Sequence, residues 1–182
     1  MVPFLDMLPV LFSIGDLSIS SFGVFLALAF LYAAFLVWRL ARAWDLDEEK
    51  ILDLILLTFL GAIFFGRIHF ILENLSGFGG SLLKWILIMK YPGLTFEGAL
   101  VGGILMLILF SRKFKLDFWL VADIASVGLL GGLIIGNIGC LLGGCSIGVP
   151  SKLFIAVSLA GVLDKRFPTQ LLEALLLALV LV

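Results

Sequence analysis

Residues 118–142, FWLVADIASVGLLGGLIIGNIGCLL, form a long apolar run with a single charged residue, Asp123. A membrane-spanning helix needs about 20 mostly apolar residues. As a helix this run would extend roughly 37 Å, at about 1.5 Å per residue, which is enough to cross a bilayer with some tilt. The stretch therefore predicts a transmembrane helix and, with it, a membrane protein.

The composition of the whole chain agrees with this prediction. Of its 182 residues, 63% are hydrophobic and 14% are charged, and the mean hydropathy is +1.26. Soluble domains contain about 45–50% apolar and about 25% charged residues. The net charge of −1 includes no basic stripe, so no nucleic acid partner is expected. One histidine and two cysteines predict no disulfide framework, no metal site and no cofactor.

Similar apolar runs recur along the chain. They predict an all-α, polytopic bundle of about five membrane segments plus short interfacial helices, and we treat residues 1–182 as one integral membrane domain. The predicted spans are 21–41, 51–72, 94–110 and 118–142, followed by a last helix at 169–182.

Three shorter segments complete this organisation. Residues 82–89 predict an interfacial helix anchored by Trp85, and residues 1–20 predict a short amphipathic or irregular lead-in. The last helix would be only about 21 Å long. A hydrocarbon core is about 30 Å thick, which favours a natural chain that continues beyond Val182.

Basic residues predict the orientation of the spans. Two connections on one side of the membrane carry Arg39, Arg42 and Lys50, and Arg112, Lys113 and Lys115. The positive-inside rule places both connections in the cytoplasm and the N-terminus outside. Polar residues of several spans then share one depth near the outer leaflet, namely Arg67, Glu97, Asn137, Cys140, Cys145, Gln170 and Glu173.

Charged residues at membrane depth usually pair or line a pathway, because burying them alone is costly. Arg67, Glu97 and Glu173 are therefore candidates for one paired cluster. Simpler alternatives remain open. Arg67 is also compatible with snorkelling to the interface, Glu97 with stabilising a helix start, and His69 with ordinary packing.

Small residues recur in the same region. Gly128, Gly132 and Gly136 are spaced by four residues, a pattern that lets helix backbones approach closely. Cys140 and Cys145 are five residues apart and poorly placed for a disulfide on one helix face, so we interpret them as reduced packing residues. We find no internal repeat of the kind seen in many transporters.

Five short motifs resemble the prolipoprotein diacylglyceryl transferase family of bacterial inner-membrane enzymes. In chain order they are ISSFG (19–23), GAIFFGRIHFIL (61–72), YPGLTFEGALVGG (91–103), IIGNIGCLLGGCSIG (134–148) and RFPTQLLEAL (166–175). The resemblance extends from about residue 9 to residue 176. It implies a multi-pass protein of the bacterial inner (plasma) membrane, with its N-terminus outside and its active site at the outer leaflet.

The resemblance also implies a reaction in lipoprotein biosynthesis. The diacylglyceryl group of phosphatidylglycerol is transferred to the lipobox cysteine thiol of a secreted prolipoprotein, and glycerol phosphate leaves. The two implied partners are therefore a phospholipid and a prolipoprotein.

The chain departs from the family's pattern at several aligned positions. Glu97 stands where the family has an essential His, and Asn137 where it has an essential Arg. Cys140 replaces an Asn, Cys145 replaces an acidic residue and Phe22 replaces a Tyr. The chain resembles a divergent branch with a cysteine-containing loop, and it stops before the family's second essential Arg.

The predicted catalytic residues follow from the chemistry that the reaction needs. Arg67 supplies positive charge to the departing phosphate, Glu97 accepts the thiol proton, and Asn137 donates a neutral hydrogen bond to the phosphate. The predicted substrate-binding residues are Phe22, Gly98, Gly136, Gly139, Cys140, Gly144, Cys145, Gln170 and Glu173. Alternative functions are a non-catalytic lipid- or peptide-binding relative and, ranked last, a small transporter.

Overall fold

The computed structural model describes residues 10–14, 17–75, 93–158 and 164–181, with side chains omitted at 12–14 and 17–19. A two-stranded antiparallel hairpin, β1 (Val10–Ile14) and β2 (Leu17–Ser20), precedes the first helix. The helices are α1 (Ser21–Ala43), α2 (Glu48–Glu73), α3 (Phe96–Lys113), α4 (Phe118–Gly143) and α5 (Thr169–Leu181).

The helical membrane fold is confirmed. Within the described ranges, α1, α2 and α4 are the helices long and apolar enough to cross a membrane, whereas α5 has 13 residues. The first part of the chain differs from the prediction, because a hairpin stands where an irregular lead-in was expected. The predicted interfacial helix at 82–89 lies outside the described residues. The number of membrane segments and the orientation stay predictions.

The connection between α1 and α2, residues 41–47 (ARAWDLD), has a specific backbone geometry. Asp45 has a positive φ of 55°, and the Leu46 N–H donates to the Ala41 carbonyl at 3.0 Å. This bond closes the end of α1, as in other helix C-terminal motifs with a left-handed residue. Asp47 then caps α2, because its side chain accepts backbone hydrogen bonds from the first turn.

The connection between α3 and α4, residues 111–117 (SRKFKLD), repeats this geometry. Lys115 has a φ of 57°, and the Leu116 N–H donates to the Ser111 carbonyl at 2.9 Å. The Asp117 side chain accepts a backbone N–H of the next helix at 3.0 Å. The two connections start at residues 41 and 111, so they are related by a shift of 70 residues.

The same shift relates two helix–helix contacts. A side-chain carbon at Gly61 of α2 would collide with Met106 of α3, and one at Gly131 of α4 would collide with Leu36 of α1. The glycine-rich stretches around these two positions are GAIFFGRIHFIL (61–72) and GGLIIGNIGCLL (131–142). The expectation that the chain carries no repeat is therefore wrong: two helical hairpins share their turns and their contact positions.

The chain divides into two compact units, Met1–Arg39 with Ala125–Val182 and Leu40–Ile124. In the first, α1 packs on α4: a carbon added at Gly132 would lie 3.2 Å from the Ala29 carbonyl oxygen. In the second, α2 packs on α3: a carbon added at Gly102 would lie 2.9 Å from the Gly61 carbonyl oxygen. Such close backbone approach is what small residues permit between membrane helices.

Candidate functional site

Arg67 is a buried cation near the end of α2. It is 5% exposed, and its Nη1 donates to the Gly93 carbonyl oxygen at 3.0 Å. Its guanidinium also lies 5.7 Å from the centre of the Phe70 ring, within the range of a cation–π contact. Gly93 has a φ of +154°, and a side chain there would collide with the Phe70 ring. Only glycine therefore fits the backbone position that accepts the Arg67 hydrogen bond.

A second set of hydrogen bonds joins α2 to the residues before α3. The Thr95 N–H and hydroxyl both donate to the Gly66 carbonyl oxygen, at 3.2 and 3.3 Å. His69 Nδ1 lies 2.9 Å from Thr95 Oγ1 and 3.9 Å from a Glu73 carboxylate oxygen. We call Arg67, His69, Glu73, Gly93 and Thr95 the α2–α3 polar cluster.

Glu97 and Gly98 follow this cluster in the first turn of α3. Gly98 is buried, and a carbon added to it would lie 2.5 Å from His69 Cβ. Glu97 is exposed, and among residues 10–14, 17–75, 93–158 and 164–181 its carboxylate makes no hydrogen bond or ion pair. Glu97 thus does not form the ion pair with Arg67 that its sequence position suggested.

Four other predicted residues belong to α1 or α4. Phe22 is partly exposed, and a carbon added at Gly139 would collide with Phe25. A carbon added at Gly136 would meet no atom of the described residues within 4 Å, so among these residues the space beside this glycine is open. Asn137 follows it and is half-buried.

The two cysteines are free, as predicted, but they lie closer together than their spacing suggested. Gly144 has a φ of 71°, and this turn lets the Cys145 N–H donate to the Cys140 carbonyl at 3.1 Å. Desolvation, together with the hydrogen bond and charge of the Cys140 thiol, raises the pKa of the Cys145 thiol to about 12. A thiol with so high a pKa holds little thiolate, so Cys145 is a poor nucleophile.

Gln170 and Glu173 lie on α5 with different surroundings. Gln170 is 3% exposed, and its Nε2 donates to the Ser146 carbonyl at 3.0 Å. The Ser146 hydroxyl also lies 3.4 Å from Thr169 Oγ1. Glu173 is exposed. Gln170 therefore holds the loop after α4 against the start of α5.

Two polar residues were missed as site candidates. The sequence was compatible with ordinary packing of His69, but its imidazole shares a hydrogen bond with the Thr95 side chain. Arg166 Nη1 lies 3.5 Å from the Gly148 carbonyl, and its buried Nε has no partner among the described residues. Their sequence signals were weak: a single histidine in a long helix, and an arginine at the start of the motif RFPTQLLEAL (166–175).

The predicted site residues divide between the two units. Arg67, Glu97 and Gly98 belong to the unit built from α2 and α3. The other unit contains Phe22, Gly136, Asn137, Gly139, Cys140, Gly144, Cys145, Gln170 and Glu173. Their convergence at one membrane depth stays a prediction.

Comparison with known proteins gives a consistent result. The model of the prolipoprotein diacylglyceryl transferase family matches residues 9–182. A Synechococcus elongatus protein named phosphatidylglycerol–prolipoprotein diacylglyceryl transferase is 34% identical over 175 residues, covering 92% of this chain and 60% of the relative. A Deinococcus radiodurans protein of the same name is 33% identical over 144 residues, covering 75% and 41% respectively.

A third relative with this name, from Listeria welshimeri, is 32% identical over 131 residues, covering 72% of this chain and 47% of the relative. The chain thus spans 60% or less of the length of these relatives. The family match nevertheless covers nearly every residue of the chain, from residue 9 to residue 182. This chain belongs to the prolipoprotein diacylglyceryl transferase family.

Proposed function

We propose that this protein transfers the diacylglyceryl group of phosphatidylglycerol to the lipobox cysteine thiol of a secreted prolipoprotein. The observation that carries the proposal is the family match over residues 9–182, together with relatives named for this reaction. The proposal places the chain in the bacterial inner membrane as a multi-pass protein, with the reaction at the outer leaflet.

The reaction sets two chemical requirements. The thiol loses its proton, the sulfur forms a bond to the terminal glycerol carbon, and the carbon–oxygen bond to phosphate breaks. Glycerol phosphate leaves with the electron pair. The site must therefore accept a proton near the thiol and stabilise negative charge on the phosphate.

The phosphate requirement is best met by Arg67. A guanidinium binds phosphate strongly through charge-assisted hydrogen bonds, and Arg67 is a buried cation near the end of α2. Asn137, at the position equivalent to Arg67 in the 70-residue repeat, is proposed to donate a neutral hydrogen bond. That contact is weaker than one from a cation.

The proton requirement points to the start of α3. Glu97 is exposed there and thus open to an incoming thiol. The Glu97 carboxylate either accepts the thiol proton itself or stabilises a neighbouring group that has accepted it. The remaining proposed substrate contacts are Phe22, Gly98, Gly136, Gly139, Cys140, Gly144, Cys145, Gln170 and Glu173.

The proposal is tested by reconstituting the purified chain with phosphatidylglycerol and a lipobox peptide and measuring thioether product. We expect turnover in wild type and losses of roughly 100-fold in Arg67→Met, since a single oxyanion contact is worth about 10²–10³ in rate. Glu97→Gln should lose roughly tenfold or more. Glu49→Gln, an exposed acid in the first turn of α2, is the matched control and should react normally.

The other outcomes identify the alternatives. Bound phosphatidylglycerol without any thioether would refute the transferase proposal and indicate a non-catalytic lipid-binding relative. Solute uptake coupled to protons in the same liposomes would indicate a transporter.

A further inference from the structure

We propose that His69 is the residue that takes the thiol proton, with Thr95 and Glu73 orienting its imidazole. The inference rests on the proposed transfer reaction and names a catalytic residue for it. His69 is the single histidine of the chain. It lies on α2 beside the first turn of α3, next to the glycine that follows Glu97.

The hydrogen bonds around Thr95 indicate the tautomer of His69 that the proposal requires. The Thr95 hydroxyl donates its only hydrogen to the Gly66 carbonyl oxygen, so the same oxygen is an acceptor toward His69 Nδ1 at 2.9 Å. His69 Nδ1 therefore holds the hydrogen of the neutral ring. The other nitrogen, Nε2, is left with a lone pair, and the side chain is 41% exposed.

Charged side chains lie near His69 on both helices. Glu73 lies one turn along α2, with a carboxylate oxygen 3.9 Å from Nδ1. Glu97 stands beside the contacting Gly98 on α3. Arg67 carries the opposing charge, but its Nη1 is directed at the Gly93 carbonyl. The Glu73 carboxylate thus lies on the Nδ1 side of the ring, as does the acid behind the base in many hydrolytic sites.

The internal repeat shows that packing does not require this arrangement. A shift of 70 residues relates His69 to Gly139 and Thr95 to Phe25. At the equivalent crossing of α1 and α4, Gly139 lies directly against Phe25, and these two residues form no polar pair. Two helices of this fold therefore pack at the same place without an imidazole. The His69–Thr95 bond is an addition to the α2–α3 pair.

The proposed step balances without a further reactant. The thiol S–H bond breaks and its proton binds His69 Nε2, giving an imidazolium and a thiolate. The thiolate attacks the glycerol carbon, and glycerol phosphate leaves. The proton is then released to the leaving phosphate or to water, which restores the neutral ring.

The tautomer is tested in wild-type protein labelled with ¹⁵N-histidine in phosphatidylglycerol nanodiscs. Because the chain has a single histidine, one pair of ring-nitrogen signals is expected, and the pair needs no assignment to a residue. We expect the proton on Nδ1, and we expect Thr95→Val to lose this preference while Thr95→Ser retains it. A proton on Nε2 in the wild type would overturn the inference.

The catalytic role is tested by His69→Asn with the thioether assay. The asparagine amide can replace the Nδ1 donor to Thr95, but it offers no base at the position of Nε2. We expect normal thermal unfolding and a rate loss of roughly 100-fold or more, as for other general bases. In His69→Ala, added imidazoles should restore turnover in proportion to their basicity, which a packing role would not produce.

The results separate this inference from the proposed function. Wild-type turnover that persists in His69→Asn would refute the role of His69 and leave the transfer reaction in place. Rescue that is independent of imidazole basicity would do the same. A wild-type chain that forms no thioether would refute the reaction and this role together.

Discussion

Replacing Gly98 by alanine probes the contact between α3 and the polar cluster. A methyl group at Gly98 would lie 2.5 Å from His69 Cβ, 2.8 Å from the Phe65 carbonyl oxygen and 2.9 Å from Thr95 Oγ1. Real side-chain carbons do not approach this closely, so the helices or the cluster must shift. Gly136 is the matched control, because a methyl group there meets no atom within 4 Å in the part of the chain that the structure describes.

The two substitutions share one energetic term and differ in the other. Both add an alanine to a helix, a gain of about 1 kcal/mol that cancels in the comparison. Overpacking at Gly98 costs about 1–3 kcal/mol. We therefore expect Gly98→Ala to be less stable than Gly136→Ala by about 1–3 kcal/mol, or by roughly 2–12 °C in Tm at about 2–4 °C per kcal/mol.

The measurement is thermal unfolding of both variants in one detergent, followed by helical circular dichroism. Thioether formation should also fall in Gly98→Ala, because its methyl group displaces His69. Equal Tm values for the two variants, or a higher one for Gly98→Ala, would show that the close approach of α3 to α2 at this glycine is absent.

Three further outcomes are expected. Lys50 holds the pKa of Asp47 below its usual 3.8, so the carboxylate stabilises the fold above that pH and the contribution disappears as the pH falls through the lowered value. Asp47→Asn keeps a capping oxygen and should thus lower Tm near neutral pH but not at about pH 2. The raised pKa of Cys145, about 12, predicts slow labelling by iodoacetamide at about pH 8 and faster labelling as the pH rises; labelling at the rate of a peptide cysteine would contradict it. Gln170→Leu removes the donor to the Ser146 carbonyl and should cost about 0.5–1.5 kcal/mol in thermal unfolding; an unchanged Tm would show that this bond adds nothing.

Arg67 and Asn137 occupy equivalent positions of the 70-residue repeat but differ in charge. Both follow a glycine at equivalent positions of α2 and α4, yet one is a buried cation and the other a neutral amide. Related hairpins with the same turns have thus acquired different polar residues. The polar cluster belongs to the α2–α3 pair, where Gly93 and Thr95 supply its backbone and hydroxyl partners.

The fold class and the approximate helix bounds follow from the amino-acid sequence. Apolar runs of span length leave the backbone no partner in lipid except its own helix, so residues 118–142 predict α4 almost residue by residue. The start of α2 was predicted at residue 51, whereas the helix begins at Glu48, because the Asp47 side chain caps the first turn. Local hydrogen bonding and hydrophobicity decide both features.

Which polar residues contact one another depends on how the helices pack. The sequence suggested that Glu97 pairs with Arg67, but Glu97 is exposed, whereas His69 and Thr95, 26 residues apart in sequence, share a hydrogen bond. The turn at Gly144 brings together two thiols whose spacing suggested separation. The periodicity of apolar and small residues predicts which face of a single helix packs against a neighbour. Which side chains touch across two helices depends on the packing of their glycines, and no single segment contains that information.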